Sequence, residues 1–300
     1  MPRISCCMAV YNAERYLLEA VQSILDQSFS DFELVAVNDG SNDASVAILK
    51  SLADRDRRIR VISHENRGIS NVRNELLHEA SCELIAWMDS DDVALPERFA
   101  RQLTYMDDHP ECVVLGAKAM LVDPDGDALT ELECLESHEE IEAWHLAPNS
   151  SAAIVNPSCM LRRSVAIAAG GYRTGFEGSE DYDLFLRMAE RGRLANLPEM
   201  LLRYRQHLKS LSHDTYEKQR MAAFRALKET MERRGLPVPG DLIPAIPPSQ
   251  SEAGTYLKWA WWALGIGNVR TARKYALKAT IRQPWHVESL KALYCAVRGR

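Results

Sequence analysis

The sequence predicts an α/β fold in which a mainly parallel sheet is flanked by helices and followed by an α-helical C-terminal extension. The first reason is that short apolar runs alternate with helix-like stretches over residues 3–108, a pattern typical of parallel strands joined by right-handed crossovers. The second is that the chain reads as helical beyond residue 213, apart from a Pro-rich linker near 235–250. We therefore expect one domain over 1–212 and a helical extension over 213–300.

The alternating region predicts four strands and four helices. The run over 32–37 is apolar apart from Glu33, which suits a strand buried on both faces. Apolar residues of the first helix, from Leu17 to Leu25, recur at helical spacing, and Pro96 suits the first turn of the last helix. In chain order, the predicted elements are strand 3–10, helix 13–27, strand 32–37, helix 44–53, strand 59–63, helix 68–80, strand 84–88 and helix 96–108.

The alternation becomes less regular after these elements. We expect a strand over 113–122, a turn over 123–126 and one more strand over 156–162. The glycine-rich stretch 170–178 predicts a mobile loop, and Ser179 is a suitable N-cap for a helix that runs to about 191. A long helix over 215–234 comes next, with two or three further helices at the end of the chain.

Polar residues stand where three predicted strands end. Tyr11 follows the first strand, Asp39 ends the second, and Asp89 and Asp91 follow the fourth. Parallel sheets bind ligands beyond the carboxyl ends of their strands. Two carboxylates in an Asp-x-Asp arrangement suit a hard divalent cation that keeps positions open for phosphate oxygens. The alternative is a solvated turn before the helix at Pro96.

Composition excludes several other classes of protein. The net charge of −6 argues against a nucleic-acid binder. No apolar run approaches the ~20 residues of a membrane span, and no signal peptide is visible. The seven cysteines form no Cys-x-x-Cys pair, so we expect reduced thiols in the cytoplasm. Residues 256–300 carry a net charge of +8 and the preceding residues −14.

The ordered set of motifs resembles the inverting glycosyltransferases of family 2, which have a Rossmann-like GT-A fold. The resemblance covers roughly residues 3–210. It departs from the family pattern at Asn38, where aspartate is common, and at Val10, where proline is usual. The motifs are Ala9-Val10-Tyr11-Asn12, Val37-Asn38-Asp39-Gly40-Ser41, Asn66-Arg67-Gly68, Arg73-Asn74, Asp89-Ser90-Asp91-Asp92, Gly170-Gly171-Tyr172-Arg173, Glu180-Asp181-Tyr182-Asp183, and Tyr204-Arg205 with His207 and Ser212.

The resemblance implies a nucleotide-sugar donor and assigns three residues to it. Asp39 would accept a hydrogen bond from the nucleotide base, and Tyr11 would line the same pocket. The alternatives are a helix cap at Ala44 for Asp39 and an ordinary aromatic at the end of a strand for Tyr11. Arg73 would brace the diphosphate with its guanidinium; the alternative is a surface arginine paired with Glu75 or Glu79.

The resemblance also implies a divalent cation, Mg²⁺ or Mn²⁺, and one catalytic base. Asp91 would be the main metal ligand. Asp89 would support it through the ribose or a metal-bound water, and His207 would complete the metal shell from the far side. Asp181, in the first turn of a helix whose dipole favours the ionised form, would take the proton of the acceptor hydroxyl.

The function that we expect is metal-dependent transfer of a sugar, with inversion, from a nucleotide-sugar donor to a hydroxyl of a carbohydrate or lipid-linked acceptor. The donor that we expect is a UDP-sugar. Such a reaction would serve surface polysaccharide or lipid-linked glycan assembly. A sugar-nucleotide pyrophosphorylase is a rival, but residues 9–16 lack the glycine-rich phosphate loop of that class. The other alternative is a non-catalytic relative that binds nucleotide sugar or recruits partners.

The C-terminal tail combines tryptophans with basic residues. Trp259, Trp261 and Trp262, together with the net positive charge, predict peripheral contact with an anionic membrane at its inner face. The alternative is an aromatic stripe that faces the protein core, with the lysines in solvent.

Overall fold

The computed structural model describes residues 2–148, 150–208, 216–238 and 251–299. Its first half is a parallel α/β unit with the strand order β3-β2-β1-β4. The strands are β1 (Ile4–Val10), β2 (Phe32–Asp39), β3 (Ile59–His64) and β4 (Leu84–Asp89), and the intervening helices are α1 (Leu17–Leu25), α2 (Ser45–Ala53) and α3 (Ile69–Glu79).

The second half completes a mixed sheet. β8 pairs antiparallel with both β4 and β6, and β9 runs parallel to β6, whereas β5 and β7 are short antiparallel additions. Its elements are β5 (Val93–Ala94), α4 (Arg98–Asp108), β6 (Cys112–Val122), β7 (Ala128–Glu131), α5 (His138–His145), β8 (Met160–Arg162), α6 (Arg163–Ala168), α7 (Glu180–Met188) and β9 (Arg193–Arg205). The predicted α/β class with a sheet flanked by helices is confirmed.

Two apolar layers hold the helices on the sheet. On one face, Leu17 and Ile24 of α1 and Leu49 of α2 pack on the inward side chains of the central strands. On the other face, Leu76 of α3 and Phe185 of α7 pack on their opposite side chains. Because successive side chains of a strand point to opposite faces, the mainly apolar strands β1 and β2 supply both layers.

The predicted strand 113–122 is present as β6, but the prediction was wrong for the strands that follow it. Residues 156–162 are not one strand, because Asn156–Ser158 forms a 3₁₀ turn that contains Pro157, and only Met160–Arg162 pairs. The strand β9 was not predicted at all. Pro198 interrupts its pattern, and the sheet accommodates this interruption as a bulge, so that Ala117 pairs with Leu197 and the next residue, Lys118, pairs with Met200. The short elements β5, β7, α5 and α6 were also missed.

The glycine-rich segment 170–178 is held in place by hydrogen bonds. The Asn74 side chain accepts from the Tyr172 amide at 2.8 Å and donates to its carbonyl at 2.7 Å. A Cβ atom on Gly171 would lie 2.5 Å from Oδ1 of Asn74. Ser179 does precede α7, but its hydroxyl donates to the Gln219 carbonyl instead of capping the helix.

The C-terminal helices pack against the sheet domain in two places. The first helix, α8 (Tyr216–Arg233), packs on α7 through an apolar cluster that includes Phe176. The others are α9 (Glu252–Gly265), α10 (Val269–Arg282) and α11 (Val287–Arg298), and they form a cluster with Leu121 and Leu129 of the β6–β7 hairpin. Ser212, the predicted boundary at 212/213 and most of the predicted linker lie outside the described residues.

The tryptophans of α9 face this cluster. Trp259 is buried in it, and Trp261 and Trp262 are half-buried against it. The core-facing interpretation therefore describes Trp259, and the prediction that this side chain contacts a membrane was wrong. None of the helices in the described ranges combines the length and apolarity needed to cross a membrane.

Candidate active site

The loops after β1 and β2 interlock at the carboxyl edge of the sheet. The Asn12 amide donates to Oγ of Ser41 at 3.0 Å, and the Asn12 side chain accepts from the Asn42 amide at 2.8 Å. Asn12 adopts a positive φ of 49°, a conformation that asparagine tolerates better than most residues. Tyr11 stands beside this junction with about half of its surface exposed, so its ring is accessible to a ligand.

Asp39 is buried at the end of β2 and fixes the start of α3. Its two carboxylate oxygens accept from the backbone amides of Arg67 at 2.6 Å and Gly68 at 3.0 Å. At the start of α2 the Ser45 amide donates to Asp43 and the Ala44 amide to Glu14, so the alternative role of Asp39 as a cap at Ala44 is wrong. Each carboxylate oxygen of Asp39 retains a second lone pair for a further donor.

The turn after β4 brings Asp91 next to a residue from the far end of the domain. Nε2 of His207 lies 2.9 Å from Oδ2 of Asp91. The imidazole stacks on the ring of Tyr16, with 5.5 Å between centroids. β9 brings His207 to this position because it pairs with β5, which directly follows the Asp-x-Asp turn.

Arg205 supports the same turn from below and had no predicted role. Its Nε donates to the Asp91 carbonyl at 2.7 Å, and its backbone amide donates to Oδ1 of Asp92 at 2.8 Å. Its guanidinium also contacts the Pro124 carbonyl at 3.2 Å and the carboxylate of Glu19 at 2.7 Å. Arg205 is buried, so it acts as a rigid brace between the cation-binding candidate Asp91, helix α1 and the β6–β7 turn.

A second group of charges lies at the start of α7. Nη1 of Arg73 donates to Oε1 of Glu180 at 2.5 Å, and its Nη2 lies 3.8 Å from Oδ1 of Asp89. Arg73 is buried, so it is not a surface arginine, and its partners are not the expected Glu75 or Glu79. Glu180 also accepts from the Gly178 amide. Arg73 thus joins the Asp-x-Asp turn to the helix that carries Asp181.

Burial, with a smaller contribution from neighbouring negative charges, raises the pKa values of two carboxyls in this cleft. Burial raises the pKa of Asp181 to about 6; the negative charge of Glu180 adds to the effect and Arg73 opposes it. Burial of the Asp89 carboxyl raises its pKa to about 6 as well, although 35% of the side chain is exposed. The positive charge of Arg73 opposes this shift, and the negative charge of Asp91 adds to it. Carboxyls with raised pKa values in one cleft are typical of a functional site.

One neighbouring carboxyl was missed by sequence reasoning. Asp92 is fully buried, burial raises its pKa well above the usual range, and its Oδ2 has no hydrogen-bond partner among the described residues. It follows the Asp-x-Asp pair and accepts from the Arg205 amide. Asp92 therefore belongs to the support of the turn, and its burial could not be inferred from a sequence stretch that reads as a polar loop.

The residues beside Asp91 fit a divalent cation. Carboxylate and imidazole are suitable ligands for Mn²⁺, and the carboxylate also suits Mg²⁺. The side chains of Asp91 and His207 are 26% and 19% exposed, so a cation placed there would remain open to a ligand. Across the described ranges, no three His, Cys, Asp or Glu side chains already surround one point.

The fold and this acidic cleft define a sugar-transferring enzyme of the GT-A class, and comparison with known proteins identifies the family. The model of "Glycosyl transferase family 2" matches residues 5–169. The chain belongs to glycosyltransferase family 2. It is 33% identical to the O-antigen biosynthesis glycosyltransferase WbnJ of Escherichia coli, over 77% of this chain and 90% of that protein. It is 32% identical to the amylovoran biosynthesis glycosyltransferase AmsE of Erwinia amylovora, over 67% and 75% of the two chains.

Solved structures share the fold at low sequence identity. S. aureus TarS 1-349 in complex with UDP-GlcNAc matches with a TM-score of 0.60 and 16% identity, over 99% of this chain and 92% of that one. The mannosyltransferase PcManGT from Pyrobaculum calidifontis, in complex with GDP-Man and Mn²⁺, matches with a TM-score of 0.56 and 17% identity, over 99% and 87%. The expected GT-A fold and glycosyltransferase class are thus confirmed.

Proposed function

We propose that this glycosyltransferase moves a sugar from a nucleotide-sugar donor, most simply a UDP-sugar, to a hydroxyl of an acceptor, with inversion and with a divalent cation. The observation that carries the proposal is the convergence of the Asp-x-Asp turn, His207 and the start of α7 on one cleft. The relatives give independent support, since the TarS complex contains UDP-GlcNAc and the PcManGT complex contains GDP-Man and Mn²⁺.

The donor would occupy the carboxyl edge of β1, β2 and β4. Asp39 accepts from the imide N–H of the base with a free lone pair, and Tyr11 covers one face of the base. Asp89 binds the ribose or a water of the cation. Arg73 faces the diphosphate from below, and Glu180 fixes its guanidinium. Burial disfavours the charge on Arg73, but Glu180 and further acidic groups raise its pKa above the usual value, so it stays cationic.

Asp91, with Asp89 and His207, would hold the Mg²⁺ or Mn²⁺ ion. When bound there, the cation supplies Lewis-acid stabilisation of the negative charge that the departing nucleoside diphosphate acquires. Tyr16, stacked on His207, and Arg205, bonded to the Asp91 carbonyl, keep these two ligands in place.

Asp181 acts as the general base. It takes the proton of the acceptor hydroxyl while that oxygen forms its bond to the anomeric carbon. The bond between that carbon and the diphosphate oxygen breaks on the opposite side, and its electron pair leaves with the nucleoside diphosphate. Attack opposite to the leaving group inverts the configuration of the sugar.

Nucleotide release tests the proposal. Purified protein is first screened for thermal stabilisation by UDP-, GDP- and other nucleotide sugars with Mn²⁺, and the best donor is assayed for release of its nucleoside diphosphate with and without acceptor sugars. Asp91→Ala and treatment with EDTA should both abolish release. Undiminished turnover in both cases would reject the proposed cation dependence.

The alternative is a relative that binds nucleotide sugar, or recruits partners, without catalysis. Loss of the acidic residues would be expected in such a protein, yet Asp39, Asp89, Asp91 and Asp181 are all present. Calorimetry separates the two proposals. Binding of the donor without turnover, in the presence of Mn²⁺ and a broad panel of acceptors, would favour the non-catalytic one.

We also propose a role in surface polysaccharide or lipid-linked glycan assembly, in the cytoplasm and at the inner face of the membrane. Support comes from the similarity to WbnJ and AmsE, glycosyltransferases of O-antigen and amylovoran biosynthesis. The basic C-terminal extension gives physical support, since it carries a net charge of +8. Incubation with lipid extracts and a labelled donor tests this role, which predicts label in the organic phase.

A further inference from the structure

The last helix, α11, buries small residues and exposes large apolar ones. It buries Ser289, Ala292 and Ala296 against the other helices of the extension. Large apolar side chains lie on the opposite side, where Leu290 is 44%, Tyr294 57% and Val297 60% exposed. Helices of soluble proteins normally bury their large apolar residues and expose small or polar ones. We refer to this exposed side of α11 as the outer face.

Exposed large apolar side chains also occur in the segment directly before the outer face. Trp285, in the connection before α11, is 91% exposed, and Ile281 at the end of α10 is 65% exposed. Val287 begins α11 and is 73% exposed. An exposed apolar surface of this extent, in adjacent segments, indicates an interaction site rather than the isolated exposed side chains found on every protein.

Basic residues border the outer face. Helical spacing places Lys291 and Arg298 beside Val287 and Tyr294, and the Arg298 guanidinium lies 4.6 Å from the Tyr294 ring centroid. The Lys291 side chain is 60% exposed, and its ammonium lies 3.8 Å from the carboxylate of Glu288. Glu288 is the single acidic residue over 256–300, so the charge of this segment stays positive. The outer face therefore joins apolar side chains to positive charge, which disfavours basic partners and favours anionic ones.

We propose that the outer face of α11, together with Trp285, docks on an anionic lipid surface and lies in its plane. This inference rests on the proposed function in one respect, the lipid-linked acceptor. The residues that would contact the membrane are exposed, unlike the buried Trp259. An interfacial helix needs apolar residues on one side and basic residues that meet the headgroups. Tryptophan and tyrosine prefer that interface because they combine apolar rings with a polar atom.

The extension transmits this docking to the catalytic cleft. The Lys274 ammonium on α10 contacts Asp123 and lies 2.7 Å from Oδ2 of Asp125, in the β6–β7 turn. The same turn accepts a hydrogen bond from Arg205, which contacts the Asp91 carbonyl. Because these contacts are charged and partly buried, docking of α11 would hold the cleft in a fixed orientation over the lipid surface.

Vesicle sedimentation tests the proposal on the full-length protein. Vesicles of phosphatidylcholine alone are compared with vesicles that contain about one third phosphatidylglycerol, at low and high salt. We expect sedimentation with the anionic vesicles at low salt, and little with the neutral ones. The double variant Lys291→Glu/Arg298→Glu should lower vesicle partitioning by about tenfold or more, and Leu290→Ser/Tyr294→Ser should lower it as well.

Matched controls change equivalent residues elsewhere. Arg55→Glu/Arg57→Glu alters the net charge equally, and Met221→Ser removes one exposed apolar side chain from α8; both should sediment like the unchanged protein. All variants should release nucleoside diphosphate normally with a soluble acceptor, so failure of docking and failure of catalysis are distinguishable. Absence of sedimentation with anionic vesicles would overturn the proposal. So would light scattering that shows a lipid-free dimer dispersed by Leu290→Ser/Tyr294→Ser, because a second copy would then cover the face.

Discussion

Nε2 of His207 lies 2.9 Å from Oδ2 of Asp91, although 116 positions separate the two residues in the chain. The contact exists because β9 pairs with β5 and so ends beside the Asp-x-Asp turn. Stacking on Tyr16 sets the plane of the imidazole. This pair is the point at which the turn after β4 and the end of β9 meet the proposed cation.

Replacement of His207 should weaken cation binding more than catalysis itself. We expect His207→Ala to raise the Mn²⁺ concentration for half-maximal activity by roughly 10–100-fold, with activity largely restored at saturating Mn²⁺. Titration of nucleotide release with Mn²⁺ measures the effect. His109→Ala is the control, since His109 makes an exposed contact with Glu111. An unchanged Mn²⁺ dependence in His207→Ala would show that the imidazole does not contact the cation.

Asp181→Asn should abolish transfer while leaving the donor bound. Loss of a positioned general base lowers kcat by ~10²–10⁴-fold.

The Asp181→Asn variant should also raise the Tm. Because the folded protein raises the pKa of Asp181, the folded state binds the proton more tightly than the unfolded state. The ionised carboxylate therefore costs stability above pH 6, and that cost is lost as the pH falls towards the unfolded value. Calorimetry and a thermal melt give the two readouts.

The matched comparison is Asp183→Asn, two residues further along the same helix. Asp183 is buried and accepts from both Arg173 and Arg187. Removal of its charge leaves two guanidinium groups without their partner, so this variant should lower the Tm. If Asp181→Asn lowered the Tm as much as Asp183→Asn, Asp181 would be a structural residue and the assignment of the base would be wrong.

The pH dependence of transfer should report the environment of Asp181. Its pKa of about 6 arises from burial first and from the charge of Glu180 next, against the opposing effect of Arg73. Activity at saturating Mn²⁺ should therefore fall as the pH drops through about 6, because the base becomes protonated. Glu180→Gln removes one negative charge and should shift this acid limb to lower pH. A pH–rate profile that is flat between about 5 and 8, or an upward shift in Glu180→Gln, would contradict the prediction.

Arg205 should be a positioning residue whose geometry lysine cannot reproduce. One guanidinium contacts the Asp91 carbonyl, the Pro124 carbonyl and Glu19, whereas an ammonium lacks that planar set of donors. We expect Arg205→Lys to lower the Tm and to raise the Mn²⁺ requirement. Arg203→Lys, two residues earlier and exposed, is the control. A lower Tm with an unchanged Mn²⁺ requirement would restrict Arg205 to a structural role.

Gly40 should tolerate no side chain. It has a φ of 75°, and a Cβ atom would lie 2.7 Å from the Asn66 amide nitrogen. Gly68 has a similar φ of 83° with open space around it. Gly68 combines φ 83° with ψ 156°, a region almost restricted to glycine, so Gly68→Ala measures backbone strain alone, about 1–3 kcal/mol. Gly40→Ala should destabilise by more because the loops after β2 and β3 must also separate. Equal decreases in the free energy of unfolding, measured in urea, would show that the two loops move apart freely.

The parallel half of the sheet was predictable because its information is local. Apolar runs and helical spacing set β1 to β4 and α1 to α3, and right-handed crossovers then place the ends of β1, β2 and β4 at one edge. The order of motifs likewise indicated the family and pointed to Asp89, Asp91 and Asp181. The pairing of the late strands was not predictable, because Pro198 interrupts the pattern of β9 and the sheet absorbs it in a bulge.

The sequence by itself thus determined the fold class, the family and the acidic residues of the cleft, since each depends on residue type and spacing along a short stretch. Only the tertiary structure decided what those residues touch. In the folded chain Arg73 donates to Glu180 and Arg205 donates to the Asp91 carbonyl. Trp259 is buried, whereas Trp285 is exposed. The physical reason is that burial and charge pairing depend on contacts between residues distant in the chain.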